Sequence, residues 1–460
     1  MQLFKKLFQN SNNISVDRGR MRIRRAGLTG ITTLVVKGIS TIAGLITIPL
    51  TAKYLGTERF GIWLILSTLL TWISFVDLGL VNSLTNALAT CDGREDKQMA
   101  QEAVSSAFYV MLLISLVLLL LFLIIYPLIP WNRVFNISSL VASQELKTSV
   151  FVCFILFFIR LPLSISGRIY GAYQEGYFHQ IWSVIGSLSS IISLMFAIHT
   201  QANLPFLIMA CFGSLLIGDV FSAIHLFGFR RQWLKPEYKY FNWLQCKSLL
   251  KTGFQFWTTQ ISAILIFETD LIIVTQLFGA KAVASYGITL RLFSLVVYVL
   301  SSFTISLWPA YTEALARGDH TWINHTFKMS VFISFTWSFL IGTLLVIFSP
   351  QLVELLVSKE AIPNLGLLCA MLFTTVLNSV SQCVAMLVNG LGELKLQTIV
   401  APISAISNIV LSLLLGNLIG VSGVALSTGI CILLFSLGAV GTDIITKLKL
   451  RVKMEINEYS

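Results

Sequence analysis

The chain has 460 residues, 56% of them apolar and 12% charged, with a formal net charge of +11. Exchanging its Tyr for its Gly moves the apolar share to about 60%, against the roughly 45–50% of soluble domains counted the same way, and the charged share is about half the usual ~25%. Polar residues are too few to cover the cores of a soluble chain this long, which excludes an ordinary soluble enzyme and a disordered chain. The apolar runs reach twenty residues and do not form ten-residue alternating segments, so an outer-membrane barrel is excluded too.

What remains is an all-α polytopic membrane protein. In chain order its predicted spans are 28–50, 60–89, 104–130, 148–167, 178–199, 203–227, 252–278, 282–310, 329–349, 362–388, 396–416 and 420–441. With the N-terminus inside, the inner segments carry 23 Lys/Arg and the outer loops 6, while Lys37, Arg160 and Arg291 fall within spans. The positive-inside rule then places both termini in the cytoplasm. The basic excess is therefore a topology signal, and no nucleic-acid partner is expected. The first apolar run begins at Leu28 and is long enough to span, so it reads as an anchor and not as a cleaved signal peptide. Ahead of it, Leu3, Phe4, Leu7 and Phe8 beside Lys5 and Lys6 allow either a short interfacial helix or a disordered tail. Five of the seven Cys lie inside spans and no CxxC occurs, so free thiols are expected, with no metal site and no cofactor.

Self-comparison points to a duplication. Phe60-Gly61-Ile62 recurs as Tyr286-Gly287-Ile288, and Thr85-Asn86-Ala87-Leu88-Ala89 as Thr312-Glu313-Ala314-Leu315-Ala316, at offsets of 226 and 227. Gly171 with Gln174-Glu175 matches Gly390 with Gly392-Glu393 near offset 219. The offset equals six spans, an even number, so both halves have the same orientation and are related by an axis along the membrane normal, with a site near the midplane. The expected organisation is a basic cytoplasmic segment 1–27, a six-helix lobe 28–227, a cytoplasmic linker 228–251, a second six-helix lobe 252–441 and a cytoplasmic tail 442–460.

Ionisable residues in hydrocarbon are costly, so each is a functional candidate. Thr29, Thr33, Lys37, Ser40/Thr41, Gly44 and Thr47 form one face of the first span, and Arg160, Ser164, Gly167 and Gly171 one face of the fourth, where Pro162 is positioned to bend the helix. Gly287, Arg291, Ser294, Tyr298 and Ser301/Ser302 stripe the eighth span; Asn378, Gln382, Ala385 and Asn389 stripe the tenth. The competing reading is that these hydroxyls and small residues glue helices together. Lys37, Arg160, Arg291, Asn378 and Gln382 are the substrate-binding candidates, with Asp77, Glu268 and Asp270 as available ion-pair partners. Glu268 and Asp270, two residues apart, point to different faces and are candidates for proton or cation coupling. Asp77 reads as a structural cap or pin. His199 and His225 read as interfacial.

Tyr54-Leu55-Gly56, Phe60-Gly61-Ile62-Trp63, Asp77-Leu78-Gly79-Leu80 and Asn86 resemble the start of the polysaccharide transport family, the Wzx-type oligosaccharide flippases. That family belongs to the multidrug/oligosaccharidyl-lipid/polysaccharide exporter superfamily, and the likeness extends over about 28–440 through the Gly171 and Gly390 loops. Gly56, Gly61, Gly171 and Gly390 carry over as structural positions. The resemblance implies two bundles in a V around a cavity open alternately to each side, as in MATE-like transporters. It implies a cargo of undecaprenyl-diphosphate-linked oligosaccharide crossing a bacterial cytoplasmic membrane, with membrane lipids and polysaccharide assembly proteins as further partners. Trp72, Trp257, Tyr298 and Trp308 stand near the stripes as platforms for sugar rings.

Lys37 occupies the span where cation-coupled multidrug exporters of the superfamily often carry an acid, which counts against that alternative. Lipid II flippases usually have two further spans. A polysaccharide polymerase or glycosyltransferase needs catalytic groups in large outer loops, and 131–147 offers only Arg133, Glu145 and Lys147. The charge asymmetry predicts that cysteine labelling from outside intact cells reaches positions in 131–147 and 350–361 and misses 228–251. External labelling of Lys239→Cys would overturn this orientation.

Overall fold

The computed structural model describes residues 13–71, 76–135, 140–356 and 362–459. In hydrocarbon a backbone N–H must be bonded within its own segment, and about twenty apolar residues at 1.5 Å each cover the ~30 Å core. Among the described residues, eleven helices are long and apolar enough to cross a membrane. The remaining expected span, 60–89, runs through 72–75, outside the described residues, as does the N-terminal stretch bearing Leu3 to Phe8.

The run Asn13–Thr71 breaks at Gly56 into α1 (13–55) and α2 (57–71). There follow α3 Leu80–Arg94, α4 Lys97–Ile125, α5 Leu140–Leu163, α6 Ile165–Ala172, α7 Gly176–His199 and α8 Leu204–Ile224. The run Trp243–Thr304 breaks at Gly279 into α9 (243–278) and α10 (280–304). Then come α11 Leu307–Ala316, α12 His320–Leu356, α13 Leu365–Leu391, α14 Leu394–Ile419, α15 Val421–Cys431 and α16 Thr442–Tyr459. The expected tail is thus helical. A wider-wound turn prolongs α8 over His225–Arg230, and another prolongs α15 over Ile432–Gly441.

The chain packs into two compact units, Leu28–Phe254, and Gln255–Ser460 together with the described part of the N-terminal segment. Similar devices recur in both. Gly56 (φ 70°) and Gly279 (φ 74°) end the first long helix of each unit in a conformation that favours glycine. Glu175, after α6, binds Arg230 at 2.8 Å and Arg231 at 3.4 Å at the end of α8. Glu393, after α13, likewise binds Lys447 at 3.1 Å and Arg451 at 2.8 Å on α16.

Within Leu28–Phe254 the loops gather on two sides. Arg59 pairs with Glu145 at 2.8 Å, and Tyr54 donates to the Ala202 carbonyl at 2.8 Å, which joins the three segments predicted outside. On the other side Ser106 donates to the Asn242 carbonyl and Asn242 Nδ2 to Glu102, while Leu234, Cys246 and Leu249 are buried in the core. The linker and the beginning of α9 are therefore packed elements of this unit. Pro162 cannot supply the N–H that the Phe158 carbonyl would accept, and Ser115 Oγ fills the vacancy at 2.7 Å. The helix is interrupted at Ser164, between α5 and α6.

In the other unit Arg22, 4% exposed, plays the matching part. Its Nε donates to Glu313, its Nη1 to Asp319 at 2.8 Å, and its guanidinium lies 4.7 Å from the Trp322 ring. Arg317 also pairs with Glu313. The chain thus passes from one unit to the other inside α1 and again inside α9. Removing one partner of a buried pair strands the other charge at about 3–5 kcal/mol. Arg22→Ala should cost about 3 kcal/mol, because Arg317 still faces Glu313. Glu313→Gln, which removes the carboxylate shared by Arg22 and Arg317 and leaves Arg22 with Asp319 alone, should cost at least as much, and Lys239→Ala at an exposed position less than about 0.5 kcal/mol. Unfolding of the purified variants in detergent checks the order.

Candidate functional site

In the unit Gln255–Ser460, segments of α9, α13 and α14 and the wide turn after α15 line a partly open cavity of about 180 Å³. Asn378 and Gln382 line it, one turn apart on α13, as their spacing predicts, and Thr259, Ser262, Ser381, Gln397, Ser404 and Ser436 supply the rest of its polar surface. None of the lining residues is ionisable. Phe267 and Phe435 form part of the wall.

One turn further along three of these elements lies a second cluster. Asp270 on α9 is 3% exposed and accepts hydrogen bonds from Thr428 Oγ1 at 2.8 Å, Tyr286 OH at 3.1 Å and Ser412 Oγ at 3.3 Å. Asn408 donates from Nδ2 to Thr428 at 2.9 Å, and its Oδ1 is buried with no hydrogen-bond partner. Among the described residues no basic side chain pairs with Asp270. A carboxylate, an amide oxygen and several hydroxyls gathered in apolar surroundings can hold a proton or a small cation. Glu268 is exposed and belongs to neither cluster.

Arg291 is exposed on α10 and makes no ion pair among the described residues. Ser294 bonds back to its carbonyl at 2.8 Å, and Ser301 and Ser302 bond back to that of Tyr298. In the unit Leu28–Phe254, Lys37 is half-buried on α1 and Thr41 donates to its carbonyl at 2.8 Å. Thr33 and Thr51 likewise bond to carbonyls one turn back, at 2.7 Å each. The hydroxyls of Thr33, Thr41 and Thr51 thus bond within their own helix, whereas Thr29 Oγ1 is buried with no hydrogen-bond partner among the described residues.

Arg160 departs from expectation. Its partner is none of Asp77, Glu268 and Asp270: Nε donates to Asp219 on α8 at 2.8 Å. The pair neutralises a charge that the sequence leaves open. One turn along α8 from Asp219, Ser222 meets His179 at 3.0 Å and Ser166 at 3.3 Å, and His225 bonds Tyr170 at 2.7 Å. Asp219 is itself an acid within a span, the class of residue that the intramembrane rule singles out; only its pairing across helices is hidden in the sequence. Asp77 accepts from the Gly79 N–H at 2.9 Å at the turn before α3.

Of the glycines, Gly390 meets the α11 backbone: an added Cβ would lie 2.9 Å from the Trp308 carbonyl and 2.6 Å from Tyr311 Cβ. Gly61 and Gly171 have open space instead. Trp308 is buried against Phe256 at 5.2 Å and belongs to the core, Tyr298 is exposed, Trp257 is half-buried, and Trp72 lies outside the described residues.

The chain matches the family model described as polysaccharide biosynthesis protein over residues 29–315 and the MatE model over 257–414. A Yersinia pseudotuberculosis protein named "Putative O-antigen export protein" is 24% identical over 76% of this chain and 80% of its own length. A Salmonella typhimurium protein named "Putative O-antigen transporter" is 19% identical over 87% and 91%. In fold, "Crystal structure of MATE in the bent conformation" superposes with a TM-score of 0.82 at 15% identity, covering 95% of this chain and 98% of that one. The chain belongs to the polysaccharide biosynthesis protein family and is a multi-pass, non-enzymatic membrane transporter of the Wzx-type polysaccharide transport group.

Proposed function

We propose that this transporter is a flippase that carries an undecaprenyl-diphosphate-linked oligosaccharide, an O-antigen or capsule repeat unit, from the inner to the outer leaflet of the bacterial cytoplasmic membrane by alternating access. Both termini lie in the cytoplasm. The observation that carries the reading, beyond the family, is that the candidate cargo groups are cationic or neutral: Lys37, Arg291 and an uncharged amide cavity. A diphosphate is an anion that a guanidinium holds bidentately and an ammonium holds as a point charge. Lys37 and Arg291 belong to different compact units, so each unit contributes one cationic candidate. Arg160, already bound to Asp219, contributes to the shape of its unit and less to the anion.

Asp270 is the coupling group in this reading. A proton or a small cation binds among its hydroxyls when the site is open to one side and leaves on the other, which biases the packing of α9, α14 and α15. A cation-coupled multidrug exporter is the second reading, and the buried carboxylate of Asp270 is the observation that favours it.

Truncating one member of a desolvated charge pair costs about 2–5 kcal/mol, and each 1.4 kcal/mol is tenfold. Arg291→Ala should therefore weaken cargo handling more than tenfold, and Arg291→Lys should recover part of it. Flipping in reconstituted vesicles and surface oligosaccharide display, at matched protein abundance, measure this. Full activity of the Lys37→Ala, Arg291→Ala double variant would remove both cations from the phosphate path.

Coupling separates in another experiment. Asp270→Asn should slow transport and flatten its dependence on the ion gradient, whereas Glu268→Gln should leave that dependence intact. Equal gradient dependence in the Asp270→Asn variant and the wild type would make the cluster a packing device. Drug efflux lost on depletion, with no lipid-linked intermediate accumulating on the cytoplasmic leaflet, would favour the exporter.

A further inference from the structure

The amide cavity has chemistry of its own. Thr259 and Ser262 bond back to the carbonyls of Gln255 and Thr258, both at 2.9 Å, and Ser381 meets Ser436 at 2.5 Å, so these hydroxyls are committed. The amides are not. Asn378 and Gln382 make no hydrogen bond to a described residue, and Gln397 Oε1 is buried without a partner. Each amide offers two N–H donors and an acceptor oxygen, a combination that neither a phosphate nor an ammonium can use fully. A phosphate asks for cations or clustered N–H donors, and an organic cation asks for a carboxylate or an aromatic cage. The cavity walls hold no charge of either sign.

Size narrows the choice. The space measures about 180 Å³. That is below the ~300 Å³ lower end of sites for drug-sized ligands. A single pyranose ring fits it, with hydroxyls or an acetamido group that both donate and accept, and with apolar faces for Phe267 and Phe435. The lining residues fall at 259–267 of α9, 378–385 of α13, 397–404 of α14 and 432–440 after α15, mostly in the halves of the predicted spans nearer the linker, the 391–394 turn and α16. On the proposed orientation this is the cytoplasmic half, where a glycan enters.

We propose that this cavity is a subsite for one uncharged sugar residue of the cargo, held by Asn378, Gln382 and Gln397, which reads the glycan separately from the diphosphate. The proposal rests on the cargo being a lipid-linked oligosaccharide. It assigns recognition of the sugar to one unit, and it gives Gln397 a role that the linear sequence does not signal.

The test uses the full chain in nanodiscs and two probes, undecaprenyl diphosphate alone and undecaprenyl diphosphate carrying one N-acetylglucosamine, with binding followed by native mass spectrometry. The wild type should bind the sugar-bearing probe about tenfold or more tightly, since several neutral hydrogen bonds contribute. In Gln382→Leu and Gln397→Leu the ratio of the two affinities should fall towards one. Thermal unfolding checks each variant, and Gln397→Asn, which keeps the amide but withdraws it by one methylene, should give an intermediate ratio if the leucine variants do not fold. A ratio unchanged by these substitutions would overturn the subsite. So would equal binding of both probes by the wild type, although binding of the bare lipid would still uphold the phosphate reading. Binding of neither probe would remove the cargo reading and the subsite with it.

Discussion

A charge placed in hydrocarbon has to be bonded, paired or neutralised, and the polar architecture of this protein follows from that requirement. It is met in different ways at different places. Arg22 is held by two carboxylates and an indole ring, and Arg160 by Asp219. Asp270 receives hydroxyl hydrogen bonds without a cationic partner among the described residues. The first two arrangements are closed: each positive group already has its negative counterpart, so neither gains much from an added ion. The third is open to one, because hydroxyls stabilise a carboxylate yet leave its charge unbalanced. On the proposed reading, this distinction separates charges that hold the helices from a charge that works with the gradient.

How much of this was legible in the sequence depends on whether a feature is local to one helix. Eleven of the twelve expected spans, the face shared by Asn378 and Gln382, and the divergence of Glu268 from Asp270 follow from hydropathy and helical period, and the described residues place them accordingly. Partnerships between helices do not follow. Arg160 and Asp219 are 59 residues apart, and Arg22 and Glu313 are 291 apart. Each pair requires two helices to be rotated correctly about their axes. In helices apolar on nearly every side, periodicity fixes that rotation poorly, since no polar face announces which side turns outward. The same reason hid Gln397, Asn408 and Ser436, isolated polar residues on α14 and after α15 that matter through what faces them.

The recurring ion pairs add a constraint that simple helix counting misses. Glu175 with Arg230 and Arg231, and Glu393 with Lys447 and Arg451, each tie the loop after a unit's fourth span to the end of its sixth. Each unit thereby closes on itself at one side of the membrane. The first helix of each unit, in contrast, begins within the other: 13–27 with the second, 243–254 with the first. Gly56 and Gly279 relieve the opposite ends of those helices, where the left-handed conformation interrupts the bonding ladder.

The cavity and the Asp270 cluster belong in one account because they share α9, α14 and the α15 segment. Phe267 and Asp270 are one turn apart, as are Ser404 and Asn408, and Thr428 and Ile432. Hydrogen bonds from Thr428 and Ser412 draw α14 and α15 toward the carboxylate. In the proposed coupling, a proton or cation that occupies the carboxylate competes for those same oxygens and changes the spacing of the helices that also form the cavity wall. A small cavity is sensitive to such a change, because close-packed walls respond to shifts of a fraction of an ångström by losing contacts outright. On the proposed coupling, occupancy of the cluster and fit of the cavity are linked through shared helices, and linkage acts in both directions: a ligand that fits one packing better raises the affinity of the cluster for whichever ion favours that packing.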